Sequence, residues 1–452
     1  MPLQDQIALF ALVFLPLIAT IFITLTPNVD IEAQTTLAKF FALMECLVMA
    51  YIFFLFFKKN VLATTAISFP FLNLNINFDL KISDKNIFLY CISIIVLTFN
   101  SFLSKHNNYK NNIQQASPFL FTFILHIILG QSDIKIALPI LSLSSFIIFF
   151  MMALSNQPTR GSTIFRMGIF LICCDSICLI IIQTKNMFLS LQNPILTFIL
   201  LLAPGLARMS LPMFFPSMKQ FYTNCQEDEA PIIIAFLQIS GFFLITLIQK
   251  QLNFSLGLSI IIIVMSLIGA MYISLLSLYE KQNNLNYYYN LIFYSSLSVC
   301  VLFAQNTELF LKLSTSLFIC NIYCYITSFY INKKNLNYFN FNEKIKNKNF
   351  TSLLFLGIPG IGIGCSLWII IWNMLNQQKN LIINICFLFW LILYFLFVYT
   401  VIIESINIKQ LPNNNQTIYE KKFLFNSNIN KFLFFLGLFV NIAIPFLTLY
   451  AP

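Results

Sequence analysis

The sequence predicts an all-α membrane protein that crosses the bilayer many times, and three observations support this fold class. Hydrophobic residues make up 59% of the 452 residues and charged residues only 9%, whereas soluble domains carry about 25% charged residues. The mean hydropathy is +0.82. The apolar runs are roughly 17 to 26 residues long, which is the length of membrane-spanning helices rather than of barrel strands.

The apolar runs divide the chain into about 14 predicted transmembrane helices. The polar segments between them are too short or too rich in Asn and Lys to form a soluble domain. The predicted spans are 6–26, 36–57, 86–104, 117–131, 134–154, 163–184, 187–215, 229–249, 255–278, 285–304, 308–331, 351–376, 380–404 and 432–449.

The seventh predicted span, 187–215, carries residues that an unbroken apolar helix would not contain: Pro204, Gly205, Arg208 and Pro212. Proline removes a backbone donor and clashes with the preceding turn, so a break is predicted here. In a bilayer, protein or a water-filled cavity must satisfy the freed backbone groups. A buried arginine beside such a break indicates an ion pathway. The alternative is a kinked helix whose arginine extends to the lipid headgroups.

The twelfth predicted span, 351–376, contains a second interruption, five helices after the first. Its helix-weakening residues are Gly357, Pro359, Gly360, Gly362 and Gly364. Two such interruptions at matching positions are typical of transporters with inverted repeats. The alternative is that these glycines merely allow close helix packing. The repeat hypothesis divides the single transmembrane domain 1–452 into an N-terminal three-helix segment 1–116, a first repeat 117–249, a second repeat 255–404, and a last loop and helix 405–452.

Three stretches resemble the antiporter-like subunits of respiratory complex I (NADH:ubiquinone oxidoreductase), which are also similar to subunits of cation/proton antiporters. They are 132–143, 204–241 with its Gly-Leu-Ala-Arg, Leu-Pro-Met-Phe-Phe and Ala-Phe-Leu-Gln segments, and 353–368 with Leu-Gly-Ile-Pro. The resemblance follows the helix order over most of the chain. It implies about 14 core helices in two inverted repeats with helices 7 and 12 broken. It also implies no cofactor in this chain, because NADH, FMN, the iron–sulfur clusters and ubiquinone would belong to other parts of the complex.

The sequence departs from this family at the positions of the membrane charges. The family carries a glutamate in helix 5, lysines in helices 7 and 8, and a lysine or glutamate in helix 12. Here those positions fall on Ser142, Arg208, Gln238 and Leu367. Only Arg208 is charged, and arginine does not release its proton at any relevant pH. The resemblance therefore implies that the fold is kept while the proton channel of this chain is degenerate.

Four other ionisable side chains at membrane depth are candidates for a proton pathway. Asp175 would be either a proton relay or the structural partner of Arg166 or Arg208. Arg166 would either join the polar axis at the membrane centre, extend to the headgroups or make a structural ion pair. Glu45 would be either a relay or a contact with a neighbouring subunit. His126 can exchange a proton near neutral pH, although a hydrogen-bonded core histidine is the more ordinary interpretation.

Composition excludes other classes of function and indicates an origin. The 11 cysteines include no CxxC pair, so we expect no metal site and no redox site in this chain. The net charge of +10 comes from scattered lysines, which is not a nucleic-acid-binding pattern. The bias towards Phe, Ile, Asn and Lys is typical of an AT-rich genome. Together with the lack of an address sequence at the N-terminus, it favours an organelle-encoded protein of the mitochondrial inner membrane.

Three functions remain as hypotheses. The favoured one is a non-redox subunit of the complex I membrane arm that contributes to proton translocation. Its partners would be other membrane-arm subunits, including antiporter-like neighbours, and phospholipids such as cardiolipin. A stand-alone cation/proton antiporter would need ionisable residues in both broken helices, and helix 12 lacks one. A purely structural scaffold would have a dry core in which Arg208 and Asp175 pair.

Overall fold

The computed structural model describes most of the chain up to residue 377. The described stretches are 3–27, 30–59, 62–63, 67–71, 74–78, 81–83, 86–103, 112–155, 158–183, 194–211, 230–251, 256–279, 283–304, 307–336 and 363–377, with isolated positions between 214 and 223 and between 385 and 394.

Helices dominate the described residues. They are α1 (Leu3–Leu25), α2 (Ile31–Lys59), α3 (Ile87–Leu103), α4 (Asn112–Leu129), α5 (Ile134–Ser155), α6 (Pro158–Gln183), α7 (Pro194–Arg208), α8 (Ala230–Gln251), α9 (Leu256–Tyr279), α10 (Asn283–Ala304), α11 (Glu308–Leu336) and α12 (Gly364–Gln377). Of these described helices, seven are long and apolar enough to cross a membrane: α1, α2, α6, α8, α9, α10 and α11.

The predicted fold class is confirmed, since each of the first twelve predicted spans overlaps with one described helix. Agreement is close because a continuous apolar run fixes both the length and the position of a helix in a bilayer. The predicted spans 380–404 and 432–449 lie outside the described helices, so the count of 14 stays a prediction.

Four short strands lie between α2 and α3, in a segment for which the sequence predicted no helix or strand. They are β1 (Leu62–Ala63), β2 (Ile67–Phe71), β3 (Leu74–Phe78) and β4 (Lys81–Ile82). β1 pairs with β4 and β2 with β3, both antiparallel, and Ile67 lies opposite Phe78. The alternation of apolar and polar residues in Leu74–Phe78 is the period-two signal of a strand, and it contains no long apolar run.

The chain folds as two compact units, with the division between Leu258 and Ser259. The first unit holds α1 to α8, and the second begins in the first turn of α9 and holds α10 to α12. The predicted boundaries of the inverted repeats stay a prediction.

Close contact between α5 and α6 organises one side of the first unit. A Cβ atom added to Gly168 of α6 would lie 2.6 Å from Cβ of Phe149 on α5. One added to Gly161 would lie 2.5 Å from the carbonyl oxygen of Ala153. Only glycine permits this approach. The two helices run antiparallel. In this packing the inner face of α5 lies against the middle of α6.

The buried polar groups of the second unit are neutral. Within its described residues, no acidic or basic side chain is buried. Asn321 of α11 donates from Nδ2 to the carbonyl oxygen of Leu291 on α10 at 2.8 Å. Ser314 of α11 donates to the carbonyl oxygen of Ser298 on α10 at 2.6 Å. Hydroxyl and amide groups rather than charges therefore join these helices.

Candidate functional site

Arg208 is the last residue of α7. The described part of this helix has 15 residues, which at 1.5 Å per residue span about 22 Å. No part of the Arg208 side chain is exposed. The chain therefore ends α7 at a guanidinium group that is buried inside the protein.

Arg208 forms a two-pronged ion pair with Asp175 of α6. Its Nη1 lies 2.6 Å from Asp175 Oδ1, and its Nη2 lies 2.7 Å from Asp175 Oδ2. The carboxylate is as fully buried as the guanidinium. The planar fork of arginine matches the two carboxylate oxygens, which makes this the strongest geometry for such a pair. Asp175 therefore pairs with Arg208.

Two serines of α5 and a carbonyl group of α7 also form hydrogen bonds with this pair. Ser142 donates from Oγ to Asp175 Oδ2 at 2.9 Å. Arg208 donates from Nη2 to Ser145 Oγ at 3.1 Å and from Nη1 to the carbonyl oxygen of Pro204 at 3.1 Å. Among the described residues, its Nε has no hydrogen-bond partner. The polar cluster of Ser142, Ser145, Asp175 and Arg208 thus joins three helices through one neutral ion pair.

The end of α7 is closed by a Schellman motif. Leu211 N donates to the carbonyl oxygen of Leu206 at 3.0 Å, and Ser210 N donates to that of Ala207 at 3.1 Å. Ser210 has a φ of +60°, the left-handed conformation that this position requires and that glycine usually supplies. The two bonds satisfy carbonyl groups that would otherwise be unpaired inside the membrane.

Replacing Ser210 with glycine is expected to stabilise the protein, because glycine adopts a positive φ without steric cost. We expect the free energy of unfolding to rise by about 1 kcal/mol in Ser210→Gly. In Ser210→Val we expect it to fall by about 1 kcal/mol or more, because a branched side chain disfavours a positive φ. Thermal inactivation of the purified protein measures both. A Ser210→Gly variant that is inactivated at a lower temperature than the wild type would contradict the Schellman assignment.

Gln238 of α8 satisfies a further carbonyl at the end of α7. Its Nε2 donates to the carbonyl oxygen of Met209 at 3.0 Å, and Gln238 is fully buried. The family that this chain resembles carries a lysine at this position. A neutral amide here holds the broken helix end, and it cannot carry a proton. Gln238 therefore acts as a hydrogen-bond donor that stabilises the end of α7.

Replacing Gln238 with leucine is expected to cost about 1–3 kcal/mol, because the Met209 carbonyl is left buried without this donor. Gln238→Lys keeps a donor of similar reach and should retain more of the assembled protein than Gln238→Leu. Immunoblots of native gels measure the amounts. Equal amounts of the two variants would show that the bond to Met209 does not matter.

Two facing glycines set the distance between α7 and α8. A Cβ atom on Gly241 would lie 2.8 Å from the carbonyl oxygen of Gly205 and 2.9 Å from Cβ of Arg208. One on Gly205 would lie 2.5 Å from Ile245 Cγ1 and 2.9 Å from the carbonyl oxygen of Gly241. Because the nearest atoms include backbone atoms, a side chain at either glycine could be accommodated only if a whole helix moved. The position of Arg208 therefore depends on this contact.

His126 of α4 holds a carbonyl that a proline frees. Pro16 of α1 has no N–H, so the carbonyl of Leu12, four residues earlier, lacks its usual helical donor. His126 Nδ1 lies 3.0 Å from that oxygen, and its Nε2 lies 2.9 Å from Ser93 Oγ on α3. Facing a carbonyl, Nδ1 must carry a proton. This arrangement matches the interpretation of a hydrogen-bonded core histidine.

Two other predicted site residues, Arg166 and Glu45, lie apart from the polar cluster, and the rest are placed as follows. Arg166 is exposed on α6, two and a half turns from Asp175, and does not join it. Glu45 is buried on α2. Leu367 is buried on α12, and Gly364 begins that helix. Pro204 lies inside α7. The remaining break residues, Pro212, Gly357, Pro359 and Gly362, lie outside the described residues.

Sequence reasoning missed Ser145 and the bond between Ser142 and Asp175. Ser145 could have been found by asking which α5 residues share a face with Ser142, since the two are three residues apart on one helix. The bond to Asp175 required the fold, because it joins two helices. Within the described part of the chain, no group of three or more His, Cys, Asp or Glu side chains could hold a metal ion.

Comparison with known proteins establishes the fold. No protein-family profile and no curated protein sequence matches this chain. A chain of the membrane-bound sulfane sulfur reductase, an archaeal respiratory membrane complex, matches it with a TM-score of 0.70 at 13% identity, covering 98% of this chain and 96% of that chain. Two chains of respiratory complex I from Thermus thermophilus match with TM-scores of 0.68 and 0.71.

The two complex I matches have identities of 9% and 11% and cover 98% and 97% of this chain and 97% and 99% of theirs. The architecture is thus shared from end to end, although few residues are. The predicted resemblance to subunits of respiratory membrane complexes is confirmed at the level of the fold.

Proposed function

We propose that this chain is an antiporter-like subunit of the membrane arm of a mitochondrial respiratory complex I and is most similar to chain 2 of that complex. It would contribute to proton translocation coupled to NADH:ubiquinone oxidoreduction and would carry no redox cofactor itself. The observation that carries the proposal is the end-to-end likeness to chains of respiratory complexes. The Leu-Gly-Ile-Pro sequence of 356–359 supports chain 2 over chain 4, another antiporter-like subunit of the same complex. The AT-biased composition supports a location in the mitochondrial inner membrane.

The chemistry of the polar cluster supports an electrostatic contribution rather than a complete proton channel. Arg208 and Asp175 form one buried ion pair in which the two charges balance each other. Gln238 and Leu367 occupy positions where the related family carries charge. The ion pair would then act as a buried dipole that responds to charge changes in neighbouring subunits. Such a response is strong in the protein interior, because electrostatic interactions are weakly screened there.

Native gel electrophoresis tests this assembly. Membranes are solubilised gently, intact complexes are separated, and mass spectrometry locates the chain. We expect it in the band with NADH dehydrogenase activity, together with other membrane-arm subunits. Migration alone, or with another complex, would overturn the proposal and favour a stand-alone transporter.

A purely structural role is the second candidate, and the geometry of the ion pair favours it. Arg208 and Asp175 satisfy each other at 2.6 and 2.7 Å, as a scaffold with a dry core requires. A stand-alone antiporter is less well supported, because the described part of the second unit buries no charged side chain. Proton pumping by variants of Arg208 that still assemble separates the scaffold from the proton-translocating role.

A further inference from the structure

A second buried carboxyl group lies on α2, away from the ion pair. Glu45 has no exposed surface and shares its face of α2 with the buried residues Ala38, Ala42 and Met49. One turn away lies an apolar cluster drawn from α1 to α4, with the members Ala19, Ile23, Ala38, Phe41, Ala42, Leu97, Ala116 and Phe119. Glu45 therefore points into the core of its own chain rather than towards a neighbouring subunit.

On the described helices that pack against α2, no lysine or arginine is placed to neutralise Glu45. Helix α2 packs against α1, α3 and α4, and the sequences of these three helices contain no lysine or arginine. On α2 itself the nearest cation is Lys39, six residues earlier, and residues six apart do not face each other on a helix. Among the described residues, neither carboxyl oxygen of Glu45 has a hydrogen-bond partner.

The titratable groups on the surrounding helices are neutral or already engaged. Both ring nitrogens of His126 on α4 are bonded, to Leu12 and to Ser93. The Tyr90 hydroxyl on α3 donates to the carbonyl oxygen of His126 at 2.7 Å. Cys46, the next residue of α2, and Cys91 on α3 are free thiols. None of them offers a positive charge to a carboxylate.

A lone carboxylate in such surroundings is far more costly to bury than a neutral acid. We propose that Glu45 is an uncharged carboxylic acid, a proton-binding site separate from the Asp175–Arg208 pair, which exchanges its proton with the aqueous phase. The two unsatisfied oxygens favour exchange, because buried polar atoms without protein partners are commonly completed by a water molecule. The proton would move between the carboxyl oxygen and that water without any other bond being made or broken.

Infrared difference spectroscopy on the purified complex that contains the chain tests the proposal. The spectrum of Glu45→Gln is subtracted from that of the wild type, with Glu45→Leu as a second neutral variant. We expect the variants to lose one carbonyl band in the carboxylic-acid region. In D₂O that band should move to lower frequency, because the acidic proton is replaced by deuterium.

Three outcomes would overturn the proposal. Loss of a band in the carboxylate region would show that Glu45 is ionised. An acid band that keeps its frequency after long incubation in D₂O would show that the proton does not exchange. Failure of both neutral variants to accumulate would show that the charge of Glu45 is needed for a partner. These results do not depend on which complex holds the chain, so they are distinct from a failure of the co-migration experiment.

Discussion

Replacing Asp175 with asparagine is expected to remove most of the assembled complex from the membrane. The substitution keeps the size of the side chain but leaves the Arg208 guanidinium buried without a counter-ion. Breaking one partner of a buried ion pair costs about 3–5 kcal/mol, a large part of the stability of a typical domain. We expect the amount of assembled complex to fall at least several-fold, as measured on native gels.

Two comparisons isolate the charge. Ser176 is the neighbouring residue, exposed on α6, and Ser176→Ala should leave the amount of complex unchanged. The double variant Asp175→Leu/Arg208→Met should recover most of the loss, because an apolar pair of similar volume replaces a buried ion pair at little cost. If Asp175→Asn and Ser176→Ala accumulate equally, the pair does not support the fold.

An acidic residue on α5 should be able to replace the carboxylate of Asp175. Ser142 Oγ lies 2.9 Å from Asp175 Oδ2, so an acid at position 142 comes within reach of Arg208. In the combined variant Ser142→Asp/Asp175→Ser, we expect more assembled complex than in Asp175→Ser alone. This result would indicate that Arg208 needs a nearby carboxylate rather than one on a particular helix.

Replacing Gly241 with alanine is expected to disturb the same cluster from the other side. The new methyl group would lie within 3.0 Å of atoms of Gly205, Arg208 and Met209. Overpacking of this kind costs about 1–3 kcal/mol. Since part of the obstacle is backbone, α7 must move, and Arg208 moves with it relative to Asp175. Thermal inactivation and the amount of assembled complex should both fall.

The matched control is Gly257, near the start of α9, where an added Cβ atom meets nothing within 4 Å. Gly257→Ala should be neutral or stabilising by up to about 1 kcal/mol, because alanine favours helix more than glycine does. If Gly241→Ala were as stable as Gly257→Ala, the α7–α8 contact would be looser than the structure indicates.

The helices could be predicted from sequence because a bilayer imposes one simple rule. A span needs a long apolar run, and helices such as α5, predicted at 134–154 and observed at Ile134–Ser155, follow that rule closely. The break in α7 was also predictable, since Pro204 and Arg208 violate the pattern. The strand pair β2–β3 was not, because it depends on alternation within a short polar segment.

The partners of the buried residues required the fold. Asp175 and Arg208 are 33 residues apart in the chain, and only the rotation of α6 about its axis decides which neighbour the carboxylate faces. His126 and the Leu12 carbonyl are separated by 114 residues. Pro16 could have suggested a freed carbonyl, but nothing local indicates the residue that bonds it.

The proton-to-electron ratio of the assembled complex tests the central claim most directly, namely that the Asp175–Arg208 pair contributes to proton translocation. It is measured during NADH oxidation in sealed membranes that carry the apolar double variant Asp175→Leu/Arg208→Met, with Ser176→Ala as control. We expect NADH oxidation to continue while the ratio falls below that of the control. An unchanged ratio in a fully assembled complex would contradict the claim and leave the pair with a structural role alone.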